Sequence, residues 1–399
     1  MKKAKKLIAA ALTMAIALSC FATNAFAAEK IKSDDVKKVL QTVTTQLENE
    51  NFKNGATLSN SHELSLMMRA GTAQQKHVDE YLADVKNQLD ANGGKLMYGS
   101  VESAEYYAET MYIIDKAGKD FRNFEGYNLE KALNDMDKSS VATSLYINGY
   151  TAFALNALGE KIDADEVKKV LVEAVKGAFT DDGNGNAGYD YWGISVDNAS
   201  KASLAIGGVY DTDGEAKAQF DKAAEWVAKQ RLTGEEEYGT KDGYSYNAGM
   251  DPTASATSTA HAINVFAVAG DMEKAADAFR CLLGFDNGDG TYGEGSTLFT
   301  AKEILEAGVV YYEVLKEAEE NENDTTAPSE TTKPTETTEA STGETSNNET
   351  SSESKAETTT GENVPSTGSS SSVTAASVLF IASLSCAAII VLKKRKTSF

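Results

Sequence analysis

Residues 139–159 read SSVATSLYINGYTAFALNALG and residues 253–270 read TASATSTAHAINVFAVAG, without one charged side chain in either run. Each is long enough for about five helical turns, and a helix apolar around most of its circumference must be covered on most sides. Both are therefore predicted to lie inside the fold. Other runs differ: Val167, Val170, Leu171 and Ala174, and again Phe220, Ala223, Ala224 and Val227, recur at i, i+3, i+4 and i+7 opposite a charged face. These are one-sided helices. The one-sided kind is predicted near 34–49, 74–91, 127–136, 163–176, 214–230 and 271–284, and the inner kind near 61–70, 103–117, 142–158, 198–208, 254–269 and 298–315.

Twelve helices that alternate between one-sided and all-round burial imply two concentric rings, since only a surrounded helix can lose its polar face. The expected fold is all-α, six helical hairpins closed into an α/α toroid; an open helical array is the structural alternative. Asp163 with Glu166 reads as a capping box, Asp213 as a helix start, and Gly71, Gly118, Gly159 and Gly270 as stops. Residues 28–320 hold a single proline, Pro252, and show no comparable set of alternating strands.

The flanks carry addresses. Residues 1–27 combine Lys2, Lys3, Lys5 and Lys6, an apolar run from Leu7 to Leu18 and the small-x-small Ala25-Phe26-Ala27, a signal-peptide pattern that predicts cleavage between Ala27 and Ala28. Cys20 also allows a lipobox reading, but Ala17 stands where leucine is usual. Residues 321–363 are dominated by Thr, Ser and Glu and cannot bury enough apolar surface to offset their ordering entropy. They read as a disordered stalk, spanning about 35 Å as a coil. Val373–Leu392 is an uncharged transmembrane span, and the basic tail over 393–396, Lys393-Lys394-Arg395-Lys396, holds its end inside by the positive-inside rule.

Just before that span stands Val364-Pro365-Ser366-Thr367-Gly368, and the order of motif, span and basic tail in 364–399 resembles the LPxTG-like sorting signal of Gram-positive cell-wall proteins. The resemblance implies a sortase that cuts after Thr367 and joins it to a peptidoglycan amine, with valine standing where the family usually has leucine. The expected location is the cell surface, anchored to the wall, with the membrane as partner through the span before sorting.

Net charge is −22, and the basic residues at the two ends leave the remainder more acidic still, which excludes nucleic acid as a partner class. Once the ends are removed only Cys281 remains, so no internal disulfide can form and stability must come from packing.

In the second half, Asn198-Ala199-Ser200-Lys201-Ala202-Ser203-Leu204-Ala205, the run Trp226–Gly234, Thr257-Ser258-Thr259-Ala260-His261-Ala262-Ile263 and Asp286-Asn287-Gly288-Asp289-Gly290-Thr291-Tyr292-Gly293 resemble repeats of the prenyltransferase and squalene-cyclase toroid superfamily. The catalytic motifs of those relatives are missing. Asp211-Thr212-Asp213-Gly214 lacks the last aspartate of a cyclase acid, Phe279-Arg280-Cys281 lacks the zinc ligands of a prenyltransferase, and Cys281-Leu282-Leu283-Gly284 is not a thioester. No spacing joins His62, His77 and His261 into a ligand set; His261 reads as a hydrogen-bonded core residue, and no cofactor or metal is expected.

Aromatic and acidic residues gather instead in loops that enter inner helices. They are Tyr98; Tyr189, Asp190, Tyr191, Trp192 and Asp197; Tyr238, Asp242, Tyr244, Tyr246, Asn247 and Asp251; and Tyr292 and Glu294. In an alternating ring all such loops share one end, so these side chains are expected to line a common mouth suited to sugar rings or another amphipathic ligand. The expected function is ligand binding or adhesion at the surface. The alternatives are a carbohydrate-active enzyme, hydrolase or lyase, with Asp190, Asp197, Asp251 and Glu294 as candidate acid and base, or a protein interaction scaffold. A calcium loop at Asp181, Asp182, Asn184, Asn186 and Asp190 departs from the EF-hand pattern at Ala187 and Gly193.

Overall fold

Serines open four of the helices expected inside. In the computed structural model, which describes residues 30–235, 240–293 and 298–326, Ser103, Ser144, Ser195 and Ser255 each accept a hydrogen bond from the backbone N–H three residues on. Each hydroxyl satisfies one orphan donor of a helix start. The helices are α1 (Ser33–Glu50), α2 (Ser61–Ala70), α3 (Gln75–Ala91), α4 (Ala104–Lys116), α5 (Leu129–Asp135), α6 (Lys138–Val141), α7 (Leu145–Leu158), α8 (Asp165–Gly177), α9 (Val196–Ile206), α10 (Gly214–Ala228), α11 (Ala256–Ala269), α12 (Met272–Leu283) and α13 (Leu298–Thr326).

Their packing closes a ring. α2 lies on α4, α4 on α7, α7 on α9, α9 on α11 and α11 on α13, and α13 returns to α2. Around them, α1 covers α13 and α2, α3 covers α2 and α4, α5 covers α4, α8 covers α7 and α9, α10 covers α9 and α11, and α12 covers α11. The contact of α13 with α2 excludes an open array, and the double ring fits an α/α toroid. Burial follows the same division: on α8 only one face, Val167, Leu171, Val172 and Val175, is buried, whereas on α11 every residue from Ser258 to Ala267 is. Burying each large aliphatic residue of that α8 face contributes about 1.5–3 kcal/mol.

Two glycines permit close helix approach. A Cβ on Gly149 would overlap the carbonyl of Lys201 where α7 meets α9, and one on Gly308 would come within 2.7 Å of Leu40 Cδ2 where α13 meets α1.

Several expectations are corrected. Three short antiparallel hairpins occur in connectors: β1 (Met97–Tyr98) with β2 (Val101–Glu102), β3 (Phe179–Asp181) with β4 (Ala187–Tyr189), and β5 (Arg231–Leu232) with β6 (Gly243–Tyr244). With at most three residues per strand, they are too short to leave an alternating pattern. The capping box at Asp163 does not form, because α8 begins after Ala164 and the Asp163 N–H donates instead to Glu130 Oε1 on α5 at 2.8 Å. α13 continues to Thr326, past the expected domain end at 320; extending a helix whose packed part is already formed adds one hydrogen bond per residue fixed.

No helix among the described residues is long and apolar enough to cross a membrane. The signal peptide with Ala27 and Ala28, the stalk beyond 326, the motif Val364, Pro365, Ser366, Thr367 and Gly368, the span 373–392 and the basic tail lie outside the described residues, as do Tyr238 and Glu294.

Candidate functional site

First turns of the inner helices meet around one end of the ring. Thr257 Oγ1 of α11 lies 3.2 Å from Thr300 Oγ1 of α13, Lys302 Nζ of α13 lies 3.9 Å from Glu63 Oε1 of α2, and Ser61 of α2 donates to Glu109 of α4. Ser258 Oγ of α11 donates to Asp197 Oδ1 of α9 at 3.2 Å, and the ring of Tyr146 on α7 stands 5.8 Å from that of Tyr191 in the connector to α9. The loops that enter the inner helices therefore gather at one end of the ring, the expected mouth.

Aromatic rings stand on and beside the connectors into α4, α9 and α11, which together form an aromatic arc at this end. Tyr98 on β1 lies 6.1 Å from Tyr106, Tyr146 follows, and Tyr191 stacks on Trp192 with centroids 4.6 Å apart. Tyr98, Trp192 and Tyr246 are exposed, Trp192 by 67%. Trp192 also holds φ at +67°, a left-handed backbone that a bulky residue adopts only where its surroundings over-determine it.

Other expected mouth residues belong elsewhere. Tyr189, Tyr244 and Tyr292 are buried in the core, with Tyr189 edge-on to Phe179 and Tyr244 against Phe266, because each sits where a hairpin or bridge turns its side chain inward. Asp190, Asn247 and Asp251 spend their side chains on turns, accepting from the backbone N–H groups of Gly193, Gly249 and Thr253 respectively. In the loop weighed for calcium, Asp182 accepts from Asn184 and Asn186, Asp181 from Lys222 and Gly183, and Asp190 from Gly193. Of the four candidate acids and bases, Asp197 alone among the described residues reaches the ring interior.

Beneath the arc the ring is filled with charge rather than with aliphatic side chains. Lys201 of α9 is fully buried, donating to Glu306 Oε1 at 2.6 Å and to Glu303, both fully buried on α13. Its Nζ lies 5.0 Å from the ring centroid of Tyr150, a cation–π distance. His62 of α2 stacks 3.9 Å from the same tyrosine and sits between Glu109 Oε1, 2.7 Å from Nδ1, and Glu306 Oε2, 3.1 Å from Nε2. Only an imidazolium can donate to both carboxylates. Burial opposes that charge, but Glu109 and then Glu306 outweigh it and carry the His62 pKa up to about 9.

Glu306 is pulled the other way. Burial raises its pKa, yet Lys201 and His62 together hold it well below the usual carboxylate range. Lys302 stays charged above its ordinary range because Glu63, then Glu303 and Glu105, overcome its burial. Glu105, half-buried at the mouth near Tyr98 and Tyr106, is raised to about 8 by burial first and by Glu109 second, so at neutral pH it is mostly protonated.

His261 of α11 is the hydrogen-bonded core residue expected on one side only. Its Nδ1 lies 2.9 Å from Ser200 Oγ, while its buried Nε2 has no hydrogen-bond partner and stands 3.6 Å from Glu303 Oε2 and 3.9 Å from Asp197 Oδ2. His261, Glu303 and Glu306 form a group able to hold a metal ion. Sequence reading missed Glu63, Glu105, Glu109, Lys201, Lys302, Glu303 and Glu306. The available signal was an isolated charge on a helix predicted to be surrounded, as Lys201 is within Ala199–Ala205.

No protein-family model matches the chain, and no curated protein matches it. The structure is similar to a solved polysaccharide lyase at a TM-score of 0.44 and 13% identity, over 71% of this chain and 98% of that one.

Proposed function

We propose that the chain is a wall-displayed α/α toroid of the prenyltransferase-like kind whose mouth binds a carbohydrate. The observation that carries this is Trp192: an indole held two-thirds exposed on a left-handed backbone, with Tyr191 stacked against it and Tyr246 and Tyr98 also exposed. Burial drives aromatic rings inward, so this connector gains nothing for the fold by presenting one to water. Apolar ring faces beside carboxylates and hydroxyls suit pyranose rings, whose C–H faces stack while their hydroxyls need partners. Surface display rests on the signal-peptide pattern and the sorting motif Val364–Gly368. The test is a glycan array probed with the purified chain, followed by Trp192→Ala. At least a tenfold loss of the strongest binding is expected, and either no glycan bound or unchanged binding by the variant would refute the reading.

A second reading, that the mouth also cleaves what it binds, is favoured by Glu105. A carboxyl held at about 8 by its surroundings keeps the proton that a general acid needs at neutral pH. New reducing ends or the absorbance of an unsaturated sugar, lost in Glu105→Gln while binding persists, would establish hydrolysis or elimination respectively. Binding without product would leave the module reading alone.

A further inference from the structure

We propose that His261 Nε2 and Glu303, with Glu306 beside them, bind one divalent first-row metal ion, Zn2+ or Mn2+, at the floor of the ring. The potential ligand atoms of these three residues all lie within 4.8 Å of one another. Neighbouring donors around an ion with bonds of about 2.1 Å stand about 3.4 Å apart, so binding draws the three side chains together by rotations of about an ångström.

Two further observations point into the same place. His261 Nε2, Glu303 Oε1 and Asn264 Oδ1 are all buried and all lack a hydrogen-bond partner, although buried polar atoms are almost always paired. Asn264 stands one turn from His261 on α11 and shares Ser200 with it, since its Nδ2 donates to Ser200 Oγ at 3.0 Å. Ser200 thus fixes the imidazole from behind and leaves Nε2 facing Glu303, as an outer partner does for a ligating histidine.

The second observation is charge. Glu63, Glu109, Glu303 and Glu306 are buried, facing two ammonium groups, Lys201 and Lys302, and one imidazole, His62. At least one negative charge is left over whichever way His62 titrates, and Asp197 adds another 3.9 Å from Nε2. A buried excess of this kind calls for a counter-charge.

Lys201 decides where that charge sits. Its Nζ occupies Oε2 of Glu303 and Oε1 of Glu306, and His62 faces Oε2 of Glu306, so the oxygen left for the ion is Glu303 Oε1; a turn of that carboxylate, whose Oε2 stands 3.6 Å from His261 Nε2, carries Oε1 to the ion. One imidazole with carboxylate oxygens favours Zn2+ or Mn2+ over the all-oxygen shells of Ca2+.

The experiment measures metal directly, independently of any glycan. The purified chain, and the chain unfolded with chelator and refolded with Zn2+ or Mn2+, are gel-filtered and assayed by mass spectrometry of the metal. About one equivalent is expected in the refolded sample, with at least a tenfold loss in His261→Gln and in Glu303→Gln but none in His77→Gln, whose imidazole lies outside the ring against Phe52 and Glu80. Should the ring variants fail to fold, refolding the unmodified chain with Co2+ decides: a visible ligand-field band supports the site, and its absence overturns it. Less than about a tenth of an equivalent after refolding, or full occupancy in folded His261→Gln, would also overturn it.

Discussion

Lys201→Met removes the cation from between two fully buried carboxylates and keeps an unbranched side chain one atom shorter. At 2.6 Å and an effective dielectric of about 20, the Lys201–Glu306 attraction alone amounts to about 6 kcal/mol. Desolvating the ammonium offsets much of this, and truncating one member of a buried pair ordinarily costs about 3–5 kcal/mol, because the partner charge stays buried and uncompensated. The variant is therefore expected to lose about 3–5 kcal/mol in urea unfolding near neutral pH. Adding Glu303→Gln should restore at least half of the loss by removing one stranded charge. The loss should also shrink as pH falls, since Glu306, no longer held low by Lys201, can then take up a proton. A cost below about 1 kcal/mol, or a double variant weaker than the single one, would refute the view that the ring interior is held by compensated charge.

Unfolding free energy should fall as pH rises through about 9. His62 is raised from 6.5 to about 9 in the folded chain, so its contribution is complete below 6.5 and about 3 kcal/mol is lost across that interval; urea titrations of His62→Gln should lack this slope. Glu105, raised from 4.5 to about 8, acts with the same sign in a lower window, and Glu105→Gln should flatten the decline between those values. Trp192→Gly relieves a left-handed backbone and is expected to leave thermal stability equal or about 1 kcal/mol higher while abolishing glycan binding; lowered stability would show that the indole serves the fold. Gly149→Ala should destabilise by about 1–3 kcal/mol, seen in thermal melts, because its methyl group meets the Lys201 carbonyl. Wall digests should yield peptides ending at Thr367, and intact C-termini that retain Gly368 would reject sorting.

The nested helices were legible because burial erases charge from a surrounded helix. The uncharged runs 139–159 and 253–270 announced α7 and α11, and the one-sided runs announced α8 and α10. Serines before α4, α7, α9 and α11 mark helix starts by capping chemistry that is local and thus also written in the chain. That the inner helices would place their entering loops together followed from alternation alone.

Composition could not say which loop residues reach the mouth. Tyr189, Tyr244 and Tyr292 have the same chemistry as Tyr98 and Tyr246, yet hairpin geometry and the bridge at Tyr292 turn them into the core, and Asp190 and Asp251 close turns that depend on neighbours' backbone positions. Nor could it show that Lys201, Glu303, Glu306, His62 and Glu109, spread over 245 residues of chain, would meet. Helical periodicity is a property of a few consecutive turns and survives in one dimension. Charge compensation is a property of distance in space, and only the closure of α13 on α2 brings His62 to Glu306.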